Sequence, residues 1–218
     1  MRKAWLLPLK TQVPMLTTEE QETLETYNDI AESWNSTLTE EFWLPEYKKF
    51  KAYLPQGKII DLGCGSGWDS RWFSQNGYEV TGIDISPAMI GLARAANPKA
   101  TFLVKSFYDL NFPPESFDGF WCACSLIHVP RAKIGRVLRQ IKQLLKKGAV
   151  GFVAVKEGQG ERMAHWQKSG KKRYFVYYSQ EEFSRLLNEA GFEILEMQKN
   201  PPKNFDRDGT FLVYYLKA

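Results

Sequence analysis

The sequence predicts a doubly wound α/β domain with a Rossmann-like sheet of seven strands, mostly parallel and ending in an antiparallel hairpin, with helices on both faces. Three observations carry this expectation. From Lys58 onward short apolar runs alternate with amphipathic segments, the pattern of a parallel sheet covered by helices. A glycine-rich segment, Asp61-Leu-Gly-Cys-Gly-Ser-Gly67, falls where the first of these runs ends and a helical segment begins. The last two runs are separated only by residues 201–209, PPKNFDRDG, so they can pair as antiparallel neighbours at one sheet edge.

Two helices are expected ahead of the sheet. Thr17 and Thr18 offer caps for the first, acidic residues in its first turn suit the positive end of the helix dipole, and a helix over 18–36 gathers Tyr27, Ile30, Ala31 and Trp34 on one side. The second, over 39–53, carries Phe42, Trp43, Tyr47, Phe50 and Tyr53 and stops before Pro55 and Gly57. Strands follow at 58–62, 79–83, 101–104, 117–123, 149–155, 192–198 and 210–216, with helices at 67–76, 87–96, 130–146 and 179–190. The third of these helices has Ile134, Val137, Leu138, Ile141, Leu144 and Leu145 at helical spacing, which marks a core stripe. Residues 156–178 exceed an ordinary connection and leave the carboxyl end of a strand, where open α/β sheets place ligand-covering elements. The expected organisation is an N-terminal helical extension over the site at 1–56 and one main domain at 57–218 with that insertion.

Composition narrows the function classes. A chain of 218 residues suits one substantial core. A formal charge of +4 is far from the dense basic stripe that announces nucleic-acid binding. The three cysteines are Cys64, Cys122 and Cys124, and the C-x-C spacing of the last two matches neither a zinc pair nor a redox C-x-x-C, so no metal and a reducing compartment are expected. The opening MRKAWLLPLK is broken by Pro8 and recharged at Lys10, too short for a signal peptide, and no apolar run nears the ~20 residues of a membrane span. A cytoplasmic protein without membrane association, monomeric or homodimeric, is expected.

Glycines after a strand let the backbone approach a ligand with no Cβ in the way. The loop reads G-x-G-x-G and is followed by Trp68, which disfavours the dinucleotide pattern G-x-G-x-x-G, and it lacks the Lys-Ser/Thr pair of a P-loop. The second strand ends Gly82-Ile-Asp84-Ile-Ser86, setting a carboxylate beside the loop where it can accept from two ribose hydroxyls. A helix cap is the competing role for Asp84, but Ser86 followed by Pro87 occupies the better capping position.

Through Asp61 to Gly67 and Gly82-Ile-Asp84-Ile-Ser86-Pro-Ala-Met89 the chain resembles the class I S-adenosylmethionine (SAM) dependent methyltransferases, of the type 11 kind. The resemblance runs on through Ser116-Phe-Asp118-Gly, Leu126-Ile-His128-Val and Phe183 to Ala190-Gly-Phe-Glu193, covering residues 20–218 in register. It implies SAM as cofactor, with its methionine part on the loop of Asp61, Gly63, Cys64, Gly65 and Gly67, and its ribose on Asp84. Ile85 and Met89 would flank the adenine, although Met89 equally suits ordinary helix packing. Ser106 and Phe107 stand where the family often has Asp and an apolar residue; serine can still accept from the adenine amine, without the charge-assisted part. Lys146-Lys147-Gly148 replaces a common Pro-Gly turn. Tyr27 and Trp34 resemble aromatic positions that close over cofactor and acceptor.

Methyl transfer from a sulfonium depends on alignment and desolvation, so a strong base is optional. The end of the fourth strand supplies Cys124, Ser125, Leu126 and His128. Of these, Cys124 is placed against the cofactor and Ser125 against the substrate. His128 is the one titratable candidate for a catalytic base; capping a helix or bonding the N-terminal helix is its structural alternative. Trp34, Tyr174 and Tyr177 are expected to line an apolar or aromatic small acceptor. The run 168–173, KSGKKR, followed by aromatics, keeps a tRNA or RNA acceptor as the alternative, and a SAM-binding module without catalysis as the third.

Overall fold

Helix α1 (Thr18–Asn35) begins on a capping box: the Glu20 N–H donates to Thr17 Oγ1 at 3.2 Å, and the Thr17 N–H donates to Glu20 Oε2 at 2.8 Å. Two otherwise unsatisfied N–H groups are met at the point where the sequence places its caps. The structure, a computed structural model, describes residues 16–37, 42–165, 170–201 and 209–218. Helix α2 (Leu44–Tyr53) starts with Pro45 in its first turn and buries Tyr47 and Phe50. The expected start of that helix at 39, much of the 201–209 loop, and Trp166 and Lys168 of the insertion lie outside the described residues.

Then come β1 (Lys58–Leu62), α3 (Trp68–Gln75), β2 (Glu79–Asp84), α4 (Pro87–Ala96), β3 (Thr101–Val104), β4 (Phe117–Ala123), a 3-10 turn (Leu126–His128), α5 (Arg131–Leu144), β5 (Leu145–Glu157), β6 (Glu161–His165), β7 (Lys172–Tyr178), α6 (Gln180–Glu189), β8 (Glu193–Asn200) and β9 (Phe211–Lys217). Strands β3-β2-β1-β4-β5 are parallel neighbours in that order. On the far side of β5, β9 runs antiparallel to it from Val150↔Lys217 to Lys156↔Phe211, and β8 closes the edge antiparallel to β9. The C-terminal hairpin is present as the pattern indicated.

The sheet has nine strands, not seven. The two additional ones, β6 and β7, lie inside the 156–178 insertion and form an antiparallel hairpin from Glu161↔Val176 to His165↔Lys172. Strand β5 outruns β4, which stops at Ala123. At that overhang Lys156 pairs with Phe211 of β9 on one edge and Tyr177 of β7 on the other. The hairpin therefore grows from the β4 side of β5, above the carboxyl ends of β1 and β4. Unmet backbone groups on a projecting strand end invite such pairing.

Side-chain alternation along β4 separates the two cores. Phe120 and Cys122 pack toward the α5 stripe of Ile134, Val137, Leu138, Ile141 and Leu144, all buried as the helical spacing indicated. Trp121 faces the other way, among Tyr47, Phe50, Phe73 and Phe152 from α2, α3 and β5. Cross-strand register lines up Asp61, Trp121, Phe152 and Tyr215 on that face. Among the described residues no helix is long and apolar enough to cross a membrane, and no cluster of ligating side chains could hold a metal.

Candidate active site

Parallel pairing of Leu62 with Ile83 brings the turn leaving β1 beside the end of β2. The N–H groups of Gly63 and Cys64 both donate to the Ile83 carbonyl, at 2.8 and 2.9 Å. One residue on, the Gly65 N–H donates to Asp84 Oδ2 at 2.9 Å and the Ser86 N–H to Oδ1 at 2.8 Å. Burial pushes the Asp84 carboxyl above its ordinary range, and these backbone donors oppose that rise. Asp84 does not cap α4: Ser86 does, its Oγ accepting from the Met89 N–H at 3.1 Å with Pro87 next in line.

Gly63 has φ +74°, and a Cβ there would stand 2.2 Å from Ser125 Cβ. Ser125 is bolted beneath the loop, its Oγ donating to the Leu62 carbonyl at 2.6 Å. Gly65, at φ +51°, has open space where a Cβ would stand. Below the loop Asp61 is buried and accepts from Ser70 Oγ at 2.6 Å; burial, reinforced by Asp69, holds its carboxyl well above the ordinary range. Burial also raises Asp69, opposed by hydrogen bonds from the Tyr47 hydroxyl and from Trp121 Nε1 at 2.7 Å. Ser66 Oγ is buried with no hydrogen-bond partner among the described residues.

These groups open on one cavity of about 250 Å³. Gly63, Cys64, Gly65, Asp84, Ile85 and Met89 line it, as do Ser106 and Phe107 after β3 and Cys124, Ser125 and His128 after β4. Tyr27 and Trp34 reach it from α1. Four expected residues do not. Asp61 lies under the floor, and Gly67 sits behind the loop, its Cα side against Ala93 of α4. Along β7, Arg173 and Phe175 turn to the cavity, so alternation sends Tyr174 to the opposite face. Tyr177 lies beyond the cavity, with the Arg162 guanidinium 4.1 Å from its ring centre.

Helix α1 spans the opening. Asn28 Oδ1 accepts from Ser86 Oγ at 2.7 Å, and Asn35 Oδ1 accepts from Trp68 Nε1 at 2.7 Å. The β6–β7 hairpin is fastened to it: the Tyr174 N–H donates to Thr23 Oγ1 at 2.8 Å, and Thr26 Oγ1 donates to the Lys172 carbonyl at 2.6 Å. Glu20 is likewise committed, accepting from Lys133 at 2.8 Å and from the Tyr108 hydroxyl.

Where α1, β7 and the turn after β4 meet, the hydrogen bonds define a tautomer. His128 Nδ1 is 2.5 Å from the Tyr174 carbonyl, which can only accept, so Nδ1 carries the proton. Nε2 then accepts from the Tyr27 hydroxyl at 2.9 Å, and Tyr27 Oη accepts from Arg173 Nη1 at 2.9 Å. Burial, with the nearby charges of Arg173 and Lys156, holds the imidazole well below its ordinary 6.5, so it stays neutral. Cys124, on the same cavity, has φ +56° and donates its N–H to the Ala154 carbonyl at 3.0 Å. A left-handed cysteine turns the chain sharply out of β4.

Sequence reasoning passed over Ser66, Trp68, Asp69, Tyr47, Arg173 and Phe175, all on the cavity wall. Arg173 sits within a basic run of the sequence; its two-residue spacing from Phe175 is the signal that both share a strand face.

The methyltransferase-domain family matches residues 59–148. Among curated relatives, a ubiquinone biosynthesis O-methyltransferase of Xanthomonas campestris pv. campestris is 32% identical over 114 residues, 50% of this chain and 47% of that protein. A 2-methyl-6-phytyl-1,4-hydroquinone methyltransferase of Synechocystis is 29% identical over 141 residues, 61% of this chain and 44% of that one. The chain thus spans about half the length of these curated relatives. A solved SAM-dependent methyltransferase of Methanosarcina mazei superposes with a TM-score of 0.72 at 25% identity, covering 78% of this chain and 97% of that one. An orphaned buried hydroxyl at Ser66 and a half-buried carboxylate at Asp84 on one cavity suit a nucleoside bearing an amino-acid tail. With the strand order and the loop pinned to Ile83, these matches support a class I SAM-dependent methyltransferase that uses S-adenosylmethionine: residues 59–148 match a methyltransferase domain and the fold is that of a SAM-dependent methyltransferase.

Proposed function

We propose that this chain transfers a methyl group from SAM to a small-molecule acceptor held between α1, β7 and the turn after β4. The observation that carries the reading is continuity: one cavity joins the Asp84 floor to a wall of Tyr27, Trp34, His128 and Phe175. Bound there, the cofactor supplies an electrophilic sulfonium methyl. Asp84 accepts from the ribose hydroxyls, Ile85, Met89 and Phe107 flank the adenine, and the Ser106 hydroxyl meets its amine. Ser66 and Asp69 face the amino-acid end, with the Asp61 carboxyl beneath the floor. Relatives named for ubiquinone biosynthesis and for a phytyl hydroquinone agree with a flat, apolar acceptor.

A small acceptor also fits what holds the basic run. Lys171 pairs with Asp29, the Lys172 carbonyl accepts from Thr26, and Arg173 turns inward, so the described part of the run ties the hairpin to α1. Calorimetry tests the reading: S-adenosylhomocysteine should bind at micromolar concentration, and transfer-RNA affinity should be absent at 0.15 M salt, about physiological ionic strength. No binding of either SAM or S-adenosylhomocysteine would end the methyltransferase proposal. Steeply salt-dependent RNA binding would favour the alternative acceptor.

His128 serves in this reading as an anchor for Tyr27. Turnover should therefore carry no inflection near pH 6.5, the ordinary imidazole value. An inflection there that disappears in His128→Asn would restore a base role. Stability gives the sign independently. A histidine whose folded value is depressed stabilises the fold above its unfolded value, and that contribution is lost as pH falls below about 6.5. Relative to His128→Asn, the wild-type melting temperature should drop on acidification.

A further inference from the structure

We infer that Asp61 holds a proton in the free protein and gives it up when a cationic amine settles against Asp69, which makes this pair of acids the selector for the ammonium end of the cofactor. This rests on the methyltransferase reading and adds a binding chemistry to it. Asp69 stands half-buried on the cavity wall, and Asp61, 1% exposed, lies beneath the floor. Among the described residues no lysine, arginine or histidine pairs with either carboxyl; both are met by neutral donors. Asp69 accepts from the Tyr47 hydroxyl at Oδ1 and from Trp121 Nε1 at Oδ2, 2.7 Å away, and Asp61 accepts from Ser70 Oγ at 2.6 Å. Ser66 is the independent sign of a ligand at this place: it is 3% exposed, lines the same cavity, and its Oγ meets no partner among the described residues.

Two neighbouring acids with little water and no cation resist ionising together. The donors decide which one yields. A donor on each oxygen favours Asp69 as the anion, while burial and then the charge of Asp69 hold the Asp61 carboxyl well above its ordinary range, so the proton rests on Asp61. The titratable groups around the pair bring no positive charge: Tyr47 and Glu46 come from α2, Cys64 from the loop, Asp84 from β2, Cys122 from β4 and Tyr215 from β9, and Arg71 of α3 is exposed. Burial pushes the Cys64 and Cys122 thiols and the Tyr47 hydroxyl up, so these stay neutral. An ammonium beside Asp69 offsets the charge that kept Asp61 protonated. One positive charge enters, one proton leaves to solvent, and a ligand without the amine leaves the proton where it is.

The test titrates the full chain by calorimetry with three thioether probes: S-adenosylhomocysteine, its decarboxylated form, which keeps the amine, and 5′-methylthioadenosine, which has no amino-acid tail. Buffers of different ionisation heat count the protons released, between about pH 6 and 7, below the ~7.7–8.0 of an ordinary α-amino group, so the ligand amine stays charged. The two amine-bearing probes should each release at least about half a proton per site, and methylthioadenosine none. S-adenosylhomocysteine affinity should rise several-fold across that interval, towards the ~10-fold per pH unit that one released proton allows, with methylthioadenosine affinity flat. Asp61→Asn, which has the shape of the protonated acid, should bind S-adenosylhomocysteine with no release; methylthioadenosine binding reports that this variant is folded, and the wild-type count decides alone if it is not. If S-adenosylhomocysteine binds with no release, if methylthioadenosine releases as much, if the decarboxylated probe releases none, or if Asp61→Asn keeps the release, the proton exchange is overturned and the methyltransferase reading stands. Failure of all three probes to bind removes both.

Discussion

Replacing Asp84 with alanine should weaken SAM binding by about 100-fold or more, the loss expected when two hydrogen bonds to a carboxylate, each worth ~1.5–3 kcal/mol, disappear. The carboxylate is held at both oxygens, by the Gly65 and Ser86 N–H groups, so its position is set before any ligand arrives. Its burial also carries a cost that the free protein tolerates: the carboxyl sits above its ordinary range because burial penalises the ion. For a carboxyl raised in this way, stability is greatest at acidic pH and declines as pH rises through the folded value. A group that strains the empty protein and meets hydroxyl donors in the loaded one is what a ligand contact requires. Asp84→Asn separates the two effects, since it preserves shape and removes charge. Calorimetry should show Asn intermediate between Asp and Ala, with thermal unfolding of the free Asn variant less pH-dependent than wild type. Cofactor affinity within a few-fold of wild type in the alanine variant would overturn the ribose assignment.

The cofactor half of the site was legible because its determinants are local. A strand, three glycines within five residues, a second strand and its terminal acid are all short-range patterns, and parallel pairing of β1 with β2 follows from the fold class. Ser86 and Thr17 were readable as caps for the same reason, since a cap is a relation across three residues. Ser125 lines the cavity, and it also has a role that its position at the end of β4 does not show: its hydroxyl donates to the Leu62 carbonyl and its Cβ props Gly63. No pattern in the sequence encodes a contact across 63 residues. The same limit hid the β6–β7 hairpin, whose strands are stable only because β5 overhangs β4 and because Thr23 and Thr26 meet their backbone from α1. Arg173 belongs to the site by strand alternation, which becomes readable only once residues 172–178 are known to be a strand. The end of the cavity lined by Tyr27, His128 and Phe175 is made where three distant segments meet, so no local pattern announces it.

Trp121→Ala should cost about 3–5 kcal/mol of stability, the range for deleting a large buried aromatic, and so a large part of the ~5–15 kcal/mol that holds a domain together. The side chain is fully buried in mid-sheet and stacks on Phe152 with ring centres 3.7 Å apart and planes 8° from parallel. Tyr47, Phe50 and Phe73 close around it at 5.1–5.6 Å, so neighbours on α2, α3 and β5 would all border the void. Beyond packing, its indole N–H donates to Asp69 Oδ2, a carboxylate on the cavity wall. Trp121→Phe isolates that bond, because it restores most of the ring volume and none of the donor. Urea unfolding should place the Phe variant ~1.5–3 kcal/mol below wild type, the range for a hydrogen bond to a charged group. The pH dependence of the difference identifies the cause. The indole donor pulls the Asp69 carboxyl down against the rise that burial imposes, so its contribution is present when Asp69 is ionised and fades as pH falls through the folded value. The gap between wild type and Trp121→Phe should therefore narrow on acidification, while the gap to an Asp69-independent core variant such as Phe120→Leu should not. A gap that stays constant with pH would assign the whole effect of Trp121 to packing and detach the core from the charge on the cavity wall.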